Sequence, residues 1–204
     1  MAEIEFNQMQ LDILREICTV AGGSAATSLS IMSERKIDIT VPNIMVEAVE
    51  NVPMALDGEE KVVNAVYLSI SGQISASIFL ILDGLESLRM VDILTRKELG
   101  QSRELDEMGI SALKELGNIM GGSYLTAIVK MSRIRITHSI PGFASDMLGA
   151  LLDEMLAQLS LKTKYAVIVE NEFKAEDDIC VKGHFVLMLE PGDLELILEQ
   201  VMSR

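Results

Sequence analysis

An internal repeat constrains the fold of this chain more than any other feature. The stretch LREICTVAGGSAATS, Leu14 to Ser28, returns as LKELGNIMGGSYLTA, Leu113 to Ala127, at an offset of 99 positions. The leucine, the glutamate (Glu16 and Glu115), both glycines (Gly22 and Gly23, Gly121 and Gly122), a serine and a threonine are identical in the two copies. Pro42 returns as Pro141 at the same offset. Duplicated units that cannot bury an apolar face alone bury it against each other. The repeats, about 8–96 and 104–203 in a single domain spanning 1–204, are therefore expected to share one core.

Hydrophobic periodicity fills in the elements. It predicts a helix from about Gln8 to Ser33 and a strand pair near Lys36 to Val49, interrupted at Pro42. Strands follow near Lys61 to Ile70 and Gln73 to Leu82, then a helix from about Leu85 to Thr95. RKELGQSRELD reads as a polar connector, too short for a hinge. In the second repeat a long helix is expected from Glu104 to Met131 and a strand over Ile134 to Ile140. GFASDMLGALLDEMLAQL, after Pro141, reads as an amphipathic helix. Strands near Lys164 to Phe173 and Ile179 to Leu189 precede a last helix, Asp193 to Met202. The expected class is α/β (α+β). Two pseudo-symmetric helix–strand repeats would share one antiparallel or mixed sheet, with the long helices carrying sites on the outside. Exchange of strands between the halves across a pseudo-twofold is also expected.

Charge and composition exclude several functions. The 204 residues carry a net charge of −14, which argues against nucleic acid and against electrostatic attachment to anionic membranes. Two cysteines and two histidines, in no metal-ligand spacing, make a zinc site improbable. The two cysteines are expected to be reduced, as in a cytoplasm. The chain opens on no signal-like leader and carries no apolar run long enough to span a membrane, so a cytoplasmic location is expected. The thirteen methionines are read mainly as core filler.

The repeat itself carries the chemistry. Residues three and four apart share a helical face, so Ser111, Glu115, Asn118 and Gly122 form one stripe. Leu113, Leu116, Met120, Tyr124, Ile128 and Met131 form the opposing apolar one. Asp12, Glu16, Thr19 and Gly23 are the first-repeat equivalents. Acid and amide on a polar face are ordinarily solvated surface, and paired glycines ordinarily mark tight packing. Packing alone, however, does not require a glutamate in both copies. A glycine costs about 1 kcal/mol in a helix interior, so a pair there implies the close approach of another backbone or of a partner. A carboxamide can hold a water and aim its lone pair, the kind of positioning that phosphoryl transfer needs. No nucleophilic triad, Walker loop or dinucleotide fingerprint is present. His138 and His184 lie in strand patterns and receive no catalytic role.

At these residues the sequence resembles the CheC/CheX/FliY family of chemotaxis phosphatases. The family signature is Asp or Ser, Glu four residues on, Asn three further, and Pro some two dozen later. Ser111, Glu115, Asn118 and Pro141 fit it completely. Asp12, Glu16, Thr19 and Pro42 fit except at Thr19. The two-copy layout and the absence of a FliN-like extension look most like the CheC branch. The resemblance implies hydrolysis of the aspartyl phosphate of phosphorylated CheY. Asn118 would position water and Glu115 would anchor the partner, while Mg²⁺ would be held by the regulator and none by this chain. It implies that the Glu16–Thr19 site is weak or inactive, and that Gly121 and Gly122 allow close approach. It also implies pairing with the deamidase CheD, for which Asp146 on the expected helix after Pro141 is the candidate contact. The alternative is a non-catalytic adaptor that binds CheD or a flagellar switch protein.

Overall fold

The structure, a computed structural model, describes residues 6–158, 165–176 and 179–203. The first repeat contains α1 (Gln8–Ser33), β1 (Asp38–Ala48), a 3-10 turn (Val49–Asn51), α2 (Val52–Ala55), β2 (Val62–Gly72), β3 (Ala76–Asp83) and α3 (Gly84–Leu94). The second contains α4 (Glu107–Ser132), β4 (Ile136–His138), β5 (Gly142–Met147), α5 (Leu148–Gln158), β6 (Tyr165–Lys174), β7 (Cys180–Leu189) and α6 (Pro191–Met202).

Local signals start and stop the long helices. Asn7 and Gln10 form a reciprocal capping box at α1, and Asp106 caps α4 through Gly109 N–H. That cap puts the start of α4 at Glu107 instead of Glu104. Both helices end the same way. Ser33 and Ser132 return their hydroxyls to the carbonyls of Leu29 and Ile128, and Glu34 and Arg133 adopt left-handed backbone with φ of 54° and 60°. These closing residues stand 99 positions apart, like the rest of the repeat.

One seven-stranded sheet contains every strand, in the order β1-β6-β7-β3-β2-β4, with β5 also paired to β2. All pairings are antiparallel. β1 of the first repeat pairs with β6 of the second, whereas β4 and β5 of the second pair with β2 of the first. The halves thus exchange their edge strands about an axis between β3 and β7. Neither edge could be satisfied within its own repeat, which ties the two together.

Each sheet face carries a core built from both repeats. On one face α1 and α4 pack on each other and on the sheet, flanked by α3 and α6. This core buries Leu14, Ile17, Leu113, Leu116 and Met120 against Val66, Leu68, Val167 and Val169. The other face is covered by α2 and α5, with Val52, Leu148, Leu151 and Leu152 on Ala65, Phe79, Ile168 and Val186. The connector is clamped rather than loose: Asp92, fully buried, accepts from the N–H groups of Gly100 and Ser102 at 2.7 and 2.9 Å.

Two sequence readings need correction. The helix expected from Gly142 begins only at Leu148; residues 142–147 form β5 instead, because the unpaired edge of β2 takes their backbone hydrogen bonds. Asp146 consequently stands exposed on an edge strand, its Oδ1 accepting from Met147 N–H at 2.7 Å, and not on a helical surface. Core filling also describes the methionines incompletely: Met90, Met120 and Met188 are buried, but Met9, Met54, Met108, Met147 and Met202 are exposed. The expected strand start at Lys164 lies outside the described residues.

Candidate functional site

α4 lies along the sheet with its apolar stripe inward. Leu113, Leu116, Met120, Tyr124 and Ile128 are buried, while Ser111 and Glu115 are exposed and Asn118 is half-exposed on the opposite side. The wall facing them is the chain between β4 and β5. There the edge strand leaves the ladder of β2 and bulges outward at Ser139, Ile140 and Pro141. Proline has no N–H for a ladder and belongs on an edge or in a bulge. Ser139 pins the bulge to β2: its N–H donates to Ser69 O at 2.9 Å and its Oγ accepts from Ser69 N–H at 3.1 Å.

Helix and bulge enclose an open cleft of about 540 Å³ lined by Ser111, Lys114, Glu115, Asn118, His138, Ser139, Ile140 and Pro141. The four signature residues of the second repeat thus meet at one place, although Pro141 is distant in sequence. Among the described residues, the side chains of Glu115, Asn118 and Lys114 form no hydrogen bond or ion pair within the chain. An acid and an amide without internal partners, side by side at an open cleft, are available to something outside the molecule.

The first repeat is built alike but differs at the decisive point. β1 bulges at Val41 and Pro42, where its register on β6 shifts between Thr40 and Asn43. The cleft here is about 130 Å³, lined by Arg15, Thr19, Val41, Pro42, Asn43 and Ile44. The Thr19 hydroxyl donates to the Arg15 carbonyl at 2.8 Å, so its proton is spent on its own helix. Asp12 is occupied as well, accepting from Gln8 at 2.9 Å and pairing with Arg15 at 3.3 Å. Glu16 is exposed but does not line this cleft.

The glycines divide by position. Gly121 and Gly22 are buried, touching Leu68 and Ile39 respectively, while Gly23 has open space in front of it and a Cβ at Gly122 would meet His138 Nε2 at 3.9 Å. The tightest approach along α4 falls one turn earlier, at Gly117: a Cβ there would come within 2.9 Å of Val66 Cβ. In the first repeat this position is Cys18, buried beside Val169 and Tyr124 at a cavity of about 20 Å³. Burial pushes the Cys18 thiol up to about 12, offset in part by its contact with Tyr124.

Sequence reasoning passed over His138, which proves to be exposed and part of the cleft wall. It reaches the cleft through the pairing of β4 with β2, which no local pattern in the sequence signals. Lys114, aligned with Arg15, was likewise not singled out as a site residue. Among the described residues no group of three or more His, Cys, Asp or Glu side chains is placed to hold a metal ion, and no helix is long and apolar enough to cross a membrane.

Comparison with known proteins places this arrangement. The family model of the CheC-like family matches residues 9–46 and 108–145, that is, both repeats from the start of the long helix through the bulge. The CheY-P phosphatase CheC of Bacillus subtilis (strain 168) is 30% identical over 193 residues, covering 91% of this chain and 90% of that protein. The flagellar motor switch phosphatase FliY of the same organism is 24% identical over 177 residues, covering 82% of this chain and 46% of that protein. Thermotoga maritima FliY shares the fold with a TM-score of 0.79 at 24% identity, covering 98% of this chain and 99% of that one. The FliM middle domain from H. pylori shares it at a TM-score of 0.69 and 13% identity, covering 96% and 99%. The chain belongs to the CheC-like family of chemotaxis proteins.

Proposed function

We propose that this protein removes phosphate from the phosphoaspartate of a CheY-type response regulator, using the second-repeat cleft. The observation that carries the reading is the pair Glu115 and Asn118, adjacent on one helical face and without partners inside the chain. The relative in Bacillus subtilis is named a CheY-P phosphatase, which supports the same reaction class.

The division of labour follows from chemistry. Phosphoryl transfer from an acyl phosphate demands mainly positioning and charge neutralisation, because the carboxylate is a good leaving group. The regulator docks along α4. Glu115 pairs with a basic residue of the regulator and sets the register. The Asn118 carboxamide oxygen accepts a hydrogen from water and turns its lone pair toward phosphorus. Mg²⁺, which the regulator's own acidic residues would hold, would supply neutralisation of the phosphoryl charge. Such a protein works in the cytoplasm, where its regulator diffuses.

Single-turnover hydrolysis of phosphorylated CheY tests the reading. Asn118→Ala should lose roughly 10²–10³-fold in rate, the range for removing one preorganised hydrogen-bonding group. Full activity in that variant would exclude Asn118 as the water-positioning group. A second reading, an adaptor without turnover that binds CheD or a flagellar switch protein, draws on the first repeat, where Thr19 is bonded to its own helix. The same assay decides, since an adaptor leaves the phosphoregulator's lifetime unchanged.

A further inference from the structure

The cleft contains a second group shaped to hold water. His138 Nδ1 lies 2.9 Å from the carbonyl oxygen of Ser139. A carbonyl oxygen only accepts, so Nδ1 carries the hydrogen and neutral His138 has its bare lone pair on Nε2. The carbonyl is held in place, because Ser139 is bonded to Ser69 through both its N–H and its hydroxyl. The imidazole is therefore fixed in tautomer and orientation by the same bulge that carries Pro141.

Nε2 points at α4 one turn beyond Asn118. A Cβ at Gly122 would sit 3.9 Å from it, so the missing side chain leaves the space between imidazole and helix open to the cleft. This accounts for the second glycine of the pair, which nothing else in the fold occupies. The first repeat supports the link. There Ile39 stands where His138 stands in the second repeat, and Thr19 stands where Asn118 does. The carboxamide and the imidazole are absent from the same copy, although the glycines, the glutamate and the proline are retained.

We infer that His138 is a catalytic residue of the second cleft, its Nε2 accepting one hydrogen of the attacking water while the Asn118 carboxamide oxygen accepts the other. A water held by both hydrogens has its lone pair free for phosphorus. The water oxygen bonds to phosphorus as the bond to the aspartyl oxygen breaks, its electron pair leaving with the carboxylate. One water proton passes to Nε2 and the other stays on the phosphate as its hydroxyl. The imidazolium then returns its proton to solvent. Lys114 and Glu115 are the charged side chains that line the same cleft.

The inference rests on the proposed phosphatase reading, and the experiment separates the two. Hydrolysis of phosphorylated CheY is measured for His138→Ala, His138→Gln and Asn118→Ala. His138→Ala should lower kcat roughly tenfold, the loss of one water hydrogen bond, with KM unchanged. His138→Gln, whose Oε1 is again an acceptor, should regain a large part of that loss. His138 is exposed, so thermal unfolding of all three should match the wild type. Wild-type kcat in His138→Ala, or a raised KM with unchanged kcat, overturns the role of His138 while leaving that of Asn118 intact. Full activity in Asn118→Ala excludes Asn118 as the water-positioning group, whereas a phosphoregulator lifetime left unchanged by the wild-type protein removes the phosphatase assignment itself.

Discussion

Gly117 lies directly against Val66. A β-carbon at position 117 would press on Val66 Cβ at 2.9 Å and closer still on one of its methyls. This contact sets how near α4 comes to β2, and so the depth at which Asn118, the next residue, sits over the cleft. Gly117→Ala gains up to about 1 kcal/mol of helix propensity but overpacks the contact by about 1–3 kcal/mol, so net destabilisation is expected. Urea unfolding measures it. Cys at this position, the first-repeat residue, should cost more and reduce phosphatase activity by displacing α4.

Thr19 is expected to be dispensable. Its hydroxyl donates to Arg15 O at 2.8 Å, which holds its oxygen against its own helix, and it is shorter than a carboxamide. Thr19→Ala should leave turnover at the wild-type level. In an Asn118→Ala background, Thr19→Asn should restore measurable hydrolysis far below the wild-type rate, because the first cleft is smaller and Ile39 stands where the second repeat has His138. Abolition of activity by Thr19→Ala would reverse the ranking of the clefts.

Glu115 should act on encounter rather than on chemistry. It is exposed and unpaired within the chain. Glu115→Lys should raise KM several-fold with little change in kcat, and raising the ionic strength should shrink the difference, as for charge pairs at an interface rim. Steady-state kinetics at two salt concentrations would measure this.

Asp92, buried in α3, should be costly to replace because it holds the connector. Its buried carboxylate accepts from both Gly100 and Ser102 N–H. Asp92→Ala leaves two backbone donors without it, a loss of about 3 kcal/mol, visible in thermal unfolding.

Cys18 and Tyr124 make a pH prediction with a definite sign. Burial raises the Cys18 thiol from 9.0 to about 12 and raises Tyr124 as well. The unfolded chain releases these protons before the folded one does. Their contribution to stability is therefore complete below about pH 9 and is lost as pH rises toward about 12. Stability measured by urea unfolding should fall across that window, and Cys18→Ala should flatten the fall.

Much of the fold was readable because periodicity and caps are local. The bounds of α1 followed from periodicity, and the irregular backbone at Pro42 and Pro141 and a core built from both halves followed from the repeat. The stretch after Pro141 was misread because Leu148, Leu151 and Leu152 give a helical pattern that appears to extend back through Phe143. What ends the helix is the free edge of β2, sixty and more residues away in sequence. The site was legible in part for the same reason. Glu115 and Asn118 belong to one helix, so their spacing alone put them side by side, whereas His138 entered only through a strand pairing.

By itself the sequence determined a twofold-repeated unit whose long helices show an acid and an amide on the face away from the core. Those are properties of helical geometry and need no partner. Only the tertiary structure decided that each repeat borrows its edge strand's neighbour from the other, that Gly117 is the close contact and that an imidazole faces Asn118's helix. Such facts depend on which distant backbone supplies the missing hydrogen bonds, and no local pattern of residues encodes that choice.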